Sequence, residues 1–356
     1  MASRTILARR ARQATPVISR GMKWLLAAIV MVLGCAHAPA RSAYFETTGR
    51  DDAATGGIKL IPITTPKGTF KVWTKRVGNN PRIKVLLLMG GPGAGHEYWE
   101  ALDSYFPAAG IEYYYYDQLG AGLSDNPDAP ELWDLARYVE EVEQVRQALA
   151  LDRDNFYLVG ISWGGLLATE YALKYQQHLK GLVISDMMAS IPAYNDYATR
   201  VLEPAMDQAQ LAEIKQLEAA GKTETPRYEE LLMPFYMEHV LRMPLAQWPW
   251  AVVHAFAMLN RKMYVAMQGP SEIGASGTLE KWDRFDQLKT IATPTLVIGG
   301  KHDTMDPAYL EKMSHELKKA RHVTCPNGSH MSLYDDQQIY TSSLIQFIED
   351  VDRGAF

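Results

Sequence analysis

The chain has 356 residues, of which 47% are hydrophobic and 22% are charged. This is an ordinary globular composition with ample apolar material for a core, and the length admits two domains or one large α/β domain with an insertion. Residues 1–34 carry six basic side chains and no acidic one, so subtracting these six charges from the formal net charge of −5 leaves −11 for the rest of the chain. A charge this negative argues against a nucleic-acid-binding protein.

The amino-terminal region has the pattern of an export signal. A basic stretch ends at Lys23, and the apolar stretch that follows, residues 24–33, is short for a membrane span, which disfavours an uncleaved anchor. Gly34 then precedes Cys35, as in a bacterial lipoprotein cleavage box, where the cysteine becomes the lipidated first residue. The alternative is a signal peptidase site at residues 38–40. We therefore predict an exported protein, either lipid-anchored through Cys35 or soluble in the periplasm.

The cysteine and histidine content predicts neither a disulfide nor a metal centre. Cys35 and Cys325 are the two cysteines of the chain. If Cys35 is lipidated or removed, no intrachain disulfide can form, and a fold of this size needs none. Neither an H-E-x-x-H motif nor paired cysteines occur, so we expect no catalytic metal and no cofactor.

Short apolar strands alternate with helical patterns along most of the chain. Residues 41–57 are polar and Gly-rich and are predicted to form a tether before the first ordered strand. Residues 70–77 alternate in polarity, which predicts an antiparallel edge strand, and residues 83–89 form the nearly continuous apolar run of a strand buried on both faces. Further strands are predicted at residues 111–116, 156–159, 182–185, 295–298 and 322–324, and helices at residues 135–149, 307–319 and 335–348. This alternation predicts a mostly parallel sheet with helices on both faces.

The most informative motif is Gly160-Ile161-Ser162-Trp163-Gly164-Gly165, which lies between a strand pattern and the helical run at residues 166–173. Strand, sharp turn with a serine, and helix are the parts of a nucleophile elbow. The turn strains the backbone and holds the Ser162 hydroxyl at the carboxyl edge of the sheet, and the glycines remove side chains that would collide there. We therefore predict an α/β-hydrolase with Ser162 as nucleophile and the Trp163 amide as an oxyanion donor.

A second oxyanion donor is expected from the loop after an early strand. Gly90-Gly91-Pro92-Gly93 occupies this place, directly after the run that ends at Met89. Its glycines let the backbone approach the substrate and its proline stiffens the turn, so we assign the Gly91 amide as the second donor. The loop at residues 117–124 follows the next strand and is interpreted as supporting structure around the site.

A serine nucleophile needs a base, and the base needs an acid that orients it. In α/β-hydrolases these residues follow in the order serine, acid, histidine. The loop after the strand at residues 295–298 contains Asp303, the predicted acid, with Asp306 as its rival. His330 lies one helix and one strand later in a Gly-containing loop, where the base must reach back to the elbow, and is the predicted base.

The alternation of strands and helices stops between residues 191 and 290. This stretch is helical in pattern and rich in Met, Trp, Tyr and Pro. Such side chains can simply fill the interior of an insertion, or they can line an active site beneath a cap, and both can hold. We predict a signal peptide and tether at residues 1–40, a hydrolase core at residues 41–190 and 291–356, and a helical cap at residues 191–290.

Four motifs in order resemble the proline iminopeptidase family of serine aminopeptidases, and most of all its tricorn-interacting aminopeptidase branch. The resemblance covers roughly residues 60–350. The family's H-G-G-P-G, D-x-x-G-x-G-x-S and G-x-S-W-G-G motifs, and the Y-x-x-M-x-G-P-x-E signature of that branch, correspond to residues 89–93, 117–124, 160–165 and 264–272. One of these motifs lies in the variable cap, which makes the resemblance specific.

The resemblance implies that acidic side chains from cap and core bind the free α-amino group of a small peptide or amino-acid derivative. By its position in the motif, Glu272 would be the cap carboxylate, and Tyr264 would help to line the pocket. A carboxylate that faces an ammonium group makes a charge-assisted hydrogen bond and fixes the amino end beside the scissile carbonyl. Cleavage would then release a single amino-terminal residue.

Two departures from the family pattern affect this expectation. Met89 replaces the leading histidine of H-G-G-P-G, and Thr304 stands where the branch often has a second acid. Recognition of the amine could therefore be weaker, or could use another acid such as Glu97 or Glu100.

The sequence as a whole predicts a serine aminopeptidase similar to proline iminopeptidases. An amino-acid amidase or a carboxylesterase with the same triad is the alternative within the enzymes, and a non-catalytic binding protein on a hydrolase scaffold is the alternative from another class. A dehalogenase is disfavoured because its nucleophile is a carboxylate where this chain has Ser162. The preferred amino-terminal residue and the oligomeric state stay open.

Overall fold

A computed structural model describes residues 43–356, and the predictions for the export signal and for Cys35 lie outside the described residues. The described part of the chain contains one eight-stranded sheet with the strand order β1-β2-β4-β3-β5-β6-β7-β8. The strands are β1 Ile58–Thr65, β2 Gly68–Val77, β3 Lys84–Leu88, β4 Glu112–Tyr116, β5 Phe156–Ile161, β6 Gly181–Ser185, β7 Thr295–Gly300 and β8 Ala320–Cys325. Antiparallel pairing joins β1 to β2 and β2 to β4, and every other neighbouring pair is parallel.

Helices connect the parallel strands and cover both faces of the sheet, as predicted. The α-helices are α1 Leu135–Ala148, α2 Trp163–Tyr175, α3 Ile191–Tyr197, α4 Glu203–Ala205, α5 Gln208–Ala219, α6 Pro226–Phe235, α7 Trp250–Ala257, α8 Arg261–Met267, α9 Pro307–Glu316, α10 Ser332–Asp335 and α11 Gln337–Asp352. A longer 3₁₀ segment lies at His96–Ser104, and π-helical turns lie at Ala198–Leu202 and Tyr236–Val240.

Alternate side chains of the central strands enter two large apolar clusters, one on each face of the sheet. On β3, Leu86 belongs to one cluster and Val85 to the other. Helices α1 and α2 contribute Val142 and Leu166 to the first cluster, whereas α11 contributes Leu344 to the second. Because both faces are covered, the parallel strands are apolar throughout, which is why their sequences read as continuous runs.

The prediction that residues 70–77 form an edge strand is wrong. Strand β2 lies between β1 and β4, and β1 is the edge of the sheet. A two-residue turn at residues 66–67 folds β1 back along β2, and the side chains of β1 alternate between exposed and buried in its second half. The alternation in β2 therefore reflects antiparallel pairing, which an interior strand near the sheet edge shares with an edge strand.

The prediction of a tether at residues 41–57 is wrong for its described part. The Tyr44 side chain is buried, and its hydroxyl donates to the carbonyl of Ile111 at 2.8 Å. A Cβ atom on Gly78 would lie 2.4 Å from the Tyr44 ring, so this glycine leaves the space that the ring occupies. Arg50 and the buried Asp52 form an ion pair at 2.7 Å. One aromatic anchor thus fixes a segment whose overall composition is polar.

Between β6 and β7 the chain leaves the sheet and forms the mostly helical insertion that contains α3 to α8. A bridge between Ser190 and Asp283 joins the two ends of this insertion. Apart from the sheet clusters, the insertion has two small apolar clusters, centred on Tyr228 and on Phe235. Among residues 43–356, no helix combines the length and the apolarity that crossing a bilayer would require.

Candidate active site

Ser162 lies in a strained turn between β5 and α2. Its backbone has φ 54° and ψ −125°, a conformation that residues with a side chain rarely adopt. A Cβ atom on Gly160 would lie 2.0 Å from the carbonyl oxygen of Gly164, and one on Gly164 would lie 2.3 Å from the carbonyl oxygen of Leu88. Both glycines are therefore required for the helix to begin this close to the sheet, and the serine stands at the top of the turn.

The residue after the nucleophile is fixed through its side chain. The Trp163 indole N–H donates to Gln118 Oε1 at 2.8 Å, and its ring packs edge-on against Tyr138. The Trp163 amide belongs to the first turn of α2, where N–H groups have no partner within the helix. This amide is therefore available to an anion at the elbow.

Gln118 belongs to the loop at residues 117–124, which closes on the buried carboxylate of Asp117. That carboxylate accepts a hydrogen bond from the Leu123 amide at 2.8 Å and lies 3.0 Å from His96 Nδ1. A Cβ atom on Gly122 would lie 2.2 Å from Asp117 Oδ2, so only glycine fits beside the acid. The loop thus supports the elbow through internal contacts, and none of its residues lines the cleft described below.

The glycine loop after β3 passes directly beside the nucleophile. A Cβ atom on Gly90 would lie 3.1 Å from Ser162 Cβ and 3.6 Å from Ser162 Oγ. Gly91 has φ 107°, which favours glycine, and both Gly90 and Gly91 line the same cleft as Ser162. The Gly93 carbonyl accepts a hydrogen bond from the amide of Asn260 in the insertion at 3.0 Å, which ties the loop to the cap.

Asp303 and His330 meet at the carboxyl ends of β7 and β8. His330 Nδ1 lies 2.7 Å from Asp303 Oδ1, which also accepts from the Met305 amide at 3.1 Å and from the Thr304 hydroxyl at 3.2 Å. Both residues are buried: Asp303 is 1% exposed and His330 is 5% exposed. Asp306, the rival acid, instead accepts from the Ala308 amide at the start of α9.

The protonation of His330 depends on the charges around it. Burial lowers the pKa of His330, but the charge of Asp303 and the hydrogen bond to that carboxylate outweigh burial and raise the pKa to about 9, with a further contribution from Glu272. Since Asp303 holds Nδ1, the other ring nitrogen, Nε2, is left to exchange a proton with a group in the cleft.

The histidine loop is held by the cap as well as by the core. The His330 amide donates to the carbonyl of His239, and the Met331 amide donates to the carbonyl of Val240, both at 2.9 Å. The Ser329 hydroxyl donates to the same Val240 carbonyl at 2.9 Å. The π-helical turn at Tyr236–Val240 therefore positions the backbone of the base, a role that no motif in the sequence indicates.

A single cleft brings most of the predicted site residues together. Its wall is mostly apolar and consists of Met89, Gly90, Gly91, Ala94, Tyr98, Ile161, Ser162, Val240, Val252, Ala255, Phe256, Leu259, Tyr264, Glu272, His330 and Met331. The sequence indicated that cap side chains could line the site but not which ones, because apolar residues that line a cleft have the same pattern as those that only fill an interior. Asp303 stands behind His330 and does not line the cleft.

Glu272 is the one carboxylate among the described residues that line this cleft. The Tyr264 hydroxyl donates to Glu272 Oε1 at 2.5 Å, and the Tyr194 hydroxyl donates to the Glu272 carbonyl at 2.6 Å. Burial, and then the charge of Glu272, raise the pKa of Tyr264, so its hydroxyl stays a donor. Of the alternative acids, Glu97 contacts His254 Nδ1 through Oε1 at 3.0 Å, and neither Glu97 nor Glu100 lines the cleft.

Within residues 43–356, no group of three or more His, Cys, Asp or Glu side chains is placed to hold a metal ion. The polar groups of the cleft are instead a hydroxyl, an imidazole, a carboxylate and backbone amides. Such a set can carry out acyl transfer by nucleophilic attack, proton transfer and oxyanion stabilisation.

Comparisons with known proteins show the fold and the family of the chain. A family model for the α/β-hydrolase fold matches residues 84–337. The chain is 54% identical to a proline iminopeptidase of Flavobacterium johnsoniae over 293 residues, which are 82% of this chain and 98% of that one. It is 51% identical to a proline iminopeptidase of Elizabethkingia meningoseptica over 300 residues, 83% of this chain and all of that one. Among solved structures, a proline iminopeptidase of Mycobacterium smegmatis superposes with a TM-score of 0.74 at 27% identity, over 84% of this chain and all of that one.

Proposed function

The chain belongs to the proline iminopeptidase family of α/β-hydrolases and is a serine aminopeptidase, and on that premise we propose that it releases an amino-terminal prolyl or similar residue from small peptides through an acyl-enzyme on Ser162. The observation that carries the proposal is one cleft lined by Ser162, His330 and Glu272. These three groups supply the nucleophile, the base and the anchor for the amine.

In the proposed reaction, Ser162 Oγ attacks the carbonyl carbon of the first residue while His330 Nε2 accepts its proton. Asp303 holds the other ring nitrogen and so fixes the tautomer and the ring orientation. The Gly91 and Trp163 amides donate to the oxyanion. His330 then passes the proton to the leaving amine, and water activated by the same imidazole hydrolyses the acyl-enzyme.

Recognition of the amine is assigned to Glu272. Tyr264 donates to Oε1, and no described residue donates to Oε2, which leaves Oε2 for the substrate ammonium. A charge-assisted hydrogen bond there would hold the amino end in place beside the nucleophile. The apolar remainder of the wall suits a pyrrolidine ring or a similar small side chain.

The proposed pairing of Glu272 with the substrate ammonium also affects the protonation of His330. The charge of Glu272 is one of the causes that raise the pKa of His330. When a substrate ammonium neutralises Glu272, that contribution is lost and the pKa of His330 falls, so a larger fraction of the imidazole is unprotonated. Binding of the correct substrate thus favours the protonation state that catalysis requires.

Three substrates test the proposal: a prolyl anilide with a free amine, its N-acetylated form and a short-chain aryl ester. We expect turnover of the free anilide and a large loss of kcat/KM on acetylation. Equal rates for both anilides would contradict amine capture by Glu272, and turnover of the ester alone would favour the carboxylesterase. Labelling by a fluorophosphonate that disappears in Ser162→Ala would exclude a non-catalytic binding protein.

We also propose that the protein is exported and either anchored through a lipid on Cys35 or released into the periplasm. The basic stretch, the short apolar stretch and the Gly34-Cys35 pair support this proposal. Mass measurement of the mature amino terminus distinguishes a lipidated Cys35 from cleavage near residue 40. A mature chain that still begins at residue 1 or 2 would contradict export by either route.

A further inference from the structure

Asp186 is a fully buried acid for which the proposed reaction has no use. It follows β6 directly and has φ 48°, a left-handed conformation that aspartate tolerates better than most residues. Strand β6 pairs with β5, which ends at the elbow, and with β7, whose loop carries Asp303. Asp186 therefore lies at the same edge of the sheet as the reacting groups, and it does not line the cleft.

The Asp186 carboxyl is built into the core by several donors. Oδ1 accepts from the Gly300 amide at 3.1 Å and from the Ser332 hydroxyl at 2.9 Å, and Oδ2 accepts from the Ser185 hydroxyl at 2.5 Å. None of these donors carries a charge, so no described cation compensates a negative charge on Asp186 directly. A buried carboxyl in such surroundings favours its neutral form.

Asp303 has the complementary feature. All three of its donors go to Oδ1, and Oδ2 is buried with no N–H or O–H donor among the described residues. A Cβ atom placed on Gly299 would lie 3.5 Å from Asp186 Oδ1 and 3.7 Å from Asp303 Oδ2. One oxygen of each carboxyl therefore lies next to the space that a side chain on Gly299 would fill. A buried carboxylate oxygen without a donor is costly, and a proton between the two carboxyls removes that cost.

The ionisable groups that face Asp186 agree with a shared proton. Burial raises the pKa of Asp186 well above its ordinary value, the charge of Asp303 and a hydrogen bond with it raise the pKa further, and His330 and Ser185 oppose the rise. The other groups that interact with Asp186 are Tyr98, Tyr340 and Cys325, whose own pKa values are raised by burial, so they are neutral near pH 7.

We propose that Asp186 keeps its proton and donates it to Asp303 Oδ2, so that the two carboxyls carry one negative charge between them. Asp186 is then a positioning residue. It fixes the rotation of the Asp303 carboxylate and draws part of the negative charge away from the oxygen that faces His330. The proposal rests on the proposed function only in so far as His330 is the base.

The direct test is infrared spectroscopy of the resting enzyme. The wild-type protein at neutral pH should show the carbonyl band of a protonated carboxyl, and that band should be missing in Asp186→Asn. Absence of the band from the wild type would overturn the proposal. This measurement needs no turnover, so its failure is distinct from failure of the proposed function.

Kinetics provide the second test through Asp186→Ala and Asp186→Asn. Loss of the donor in the alanine variant should lower kcat roughly 10- to 100-fold and move the acid limb of the kcat profile to higher pH, because an uncompensated Asp303 stabilises protonated His330 more strongly. The asparagine variant keeps a neutral donor and should restore both kcat and the position of the limb. Two results would overturn the proposal. One is a kcat of Asp186→Asn as low as that of Asp186→Ala. The other is a loss of stability in Asp186→Ala with no shift of the acid limb of its kcat–pH profile.

Asp306→Asn is the matched control, because Asp306 lies three residues from Asp303 but hydrogen-bonds the Ala308 amide. The Asp306→Asn variant should leave the acid limb of the kcat–pH profile in place. An equal shift in this control would contradict a specific role of Asp186.

Discussion

The carboxyl edge of the sheet and the helical cap differ in how tightly their residues are determined. At the sheet edge, the strained Ser162 stands between Gly160 and Gly164, which cannot carry a side chain, and the strands beneath pack in two large apolar clusters. The cap consists of short helices and π-helical turns around two small clusters. In the proposed function the sheet edge carries the chemistry and the cap selects the substrate. The turn at Tyr236–Val240 is a part of the cap that also supports a reacting group, His330.

The largest expected effect lies at the sheet edge. Ser162→Ala removes the nucleophile, and kcat for the free prolyl anilide should fall by at least about 10⁴-fold. Circular dichroism should show an unchanged fold, because the substitution removes only the hydroxyl. Turnover near the wild-type rate in this variant would mean that Ser162 is not the nucleophile and that the sheet edge does not carry the chemistry.

The corresponding change in the cap is Glu272→Gln. Loss of the carboxylate should lower kcat/KM for the free prolyl anilide by about 100-fold, equivalent to ~3 kcal/mol, because the substrate ammonium loses its buried partner. Activity on the N-acetylated anilide should show no such loss, because that substrate has no ammonium group. Glu97→Gln is the control, since Glu97 pairs with His254 outside the cleft, and equal losses in both variants would mean that recognition is not specific to Glu272.

The pH profile joins the two regions. His330 must be unprotonated to act as base, and its pKa is raised to about 9 by Asp303 with help from Glu272. The kcat/KM value for an ester without an amine should therefore rise with pH up to the alkaline range. Glu272→Gln should shift this acid limb to lower pH, because one negative charge near the imidazole is gone. An acid limb at the same pH in the wild type and in Glu272→Gln would show that the cap charge does not reach the base.

The smallest effect is expected where the cap joins the core. Asn260 accepts from the Met263 amide at 3.2 Å at the start of α8 and donates to the Gly120 carbonyl at 2.8 Å. Asn260→Ala should lower the free energy of unfolding by about 1–2 kcal/mol and raise KM, as measured by denaturant unfolding and by kinetics.

Asp207→Ala is the matched control for this change. Asp207 caps α5 within the insertion by accepting from the Ala209 and Gln210 amides at 2.9 Å. It should cost similar stability and leave KM unchanged. A raised KM in this control would mean that any loosening of the cap impairs binding, and not the junction with the core in particular.

The same contrast explains what the sequence could predict. The parallel strands are continuous apolar runs, and the elbow and the histidine loop follow them at fixed places, so fold and candidate reacting residues follow from local pattern. Predictions failed where one long-range contact decides the outcome, as for Tyr44, which anchors a polar segment, and for β2, which gains β1 as an outer neighbour. The role of His239 and Val240 as supports for His330 has no local signal, because backbone carbonyls can come from any residue.

The backbone hydrogen bonds from His330 and Met331 to the turn at Tyr236–Val240 couple catalysis to the position of the cap. If the cap moved far enough to admit a large folded protein, these hydrogen bonds would break. The His330 loop would lose their support, and the enzyme would be inactive while the cap is open. A variant in which the cap is replaced to change specificity must therefore keep this turn. Without it, the protein would bind its substrate and not cleave it.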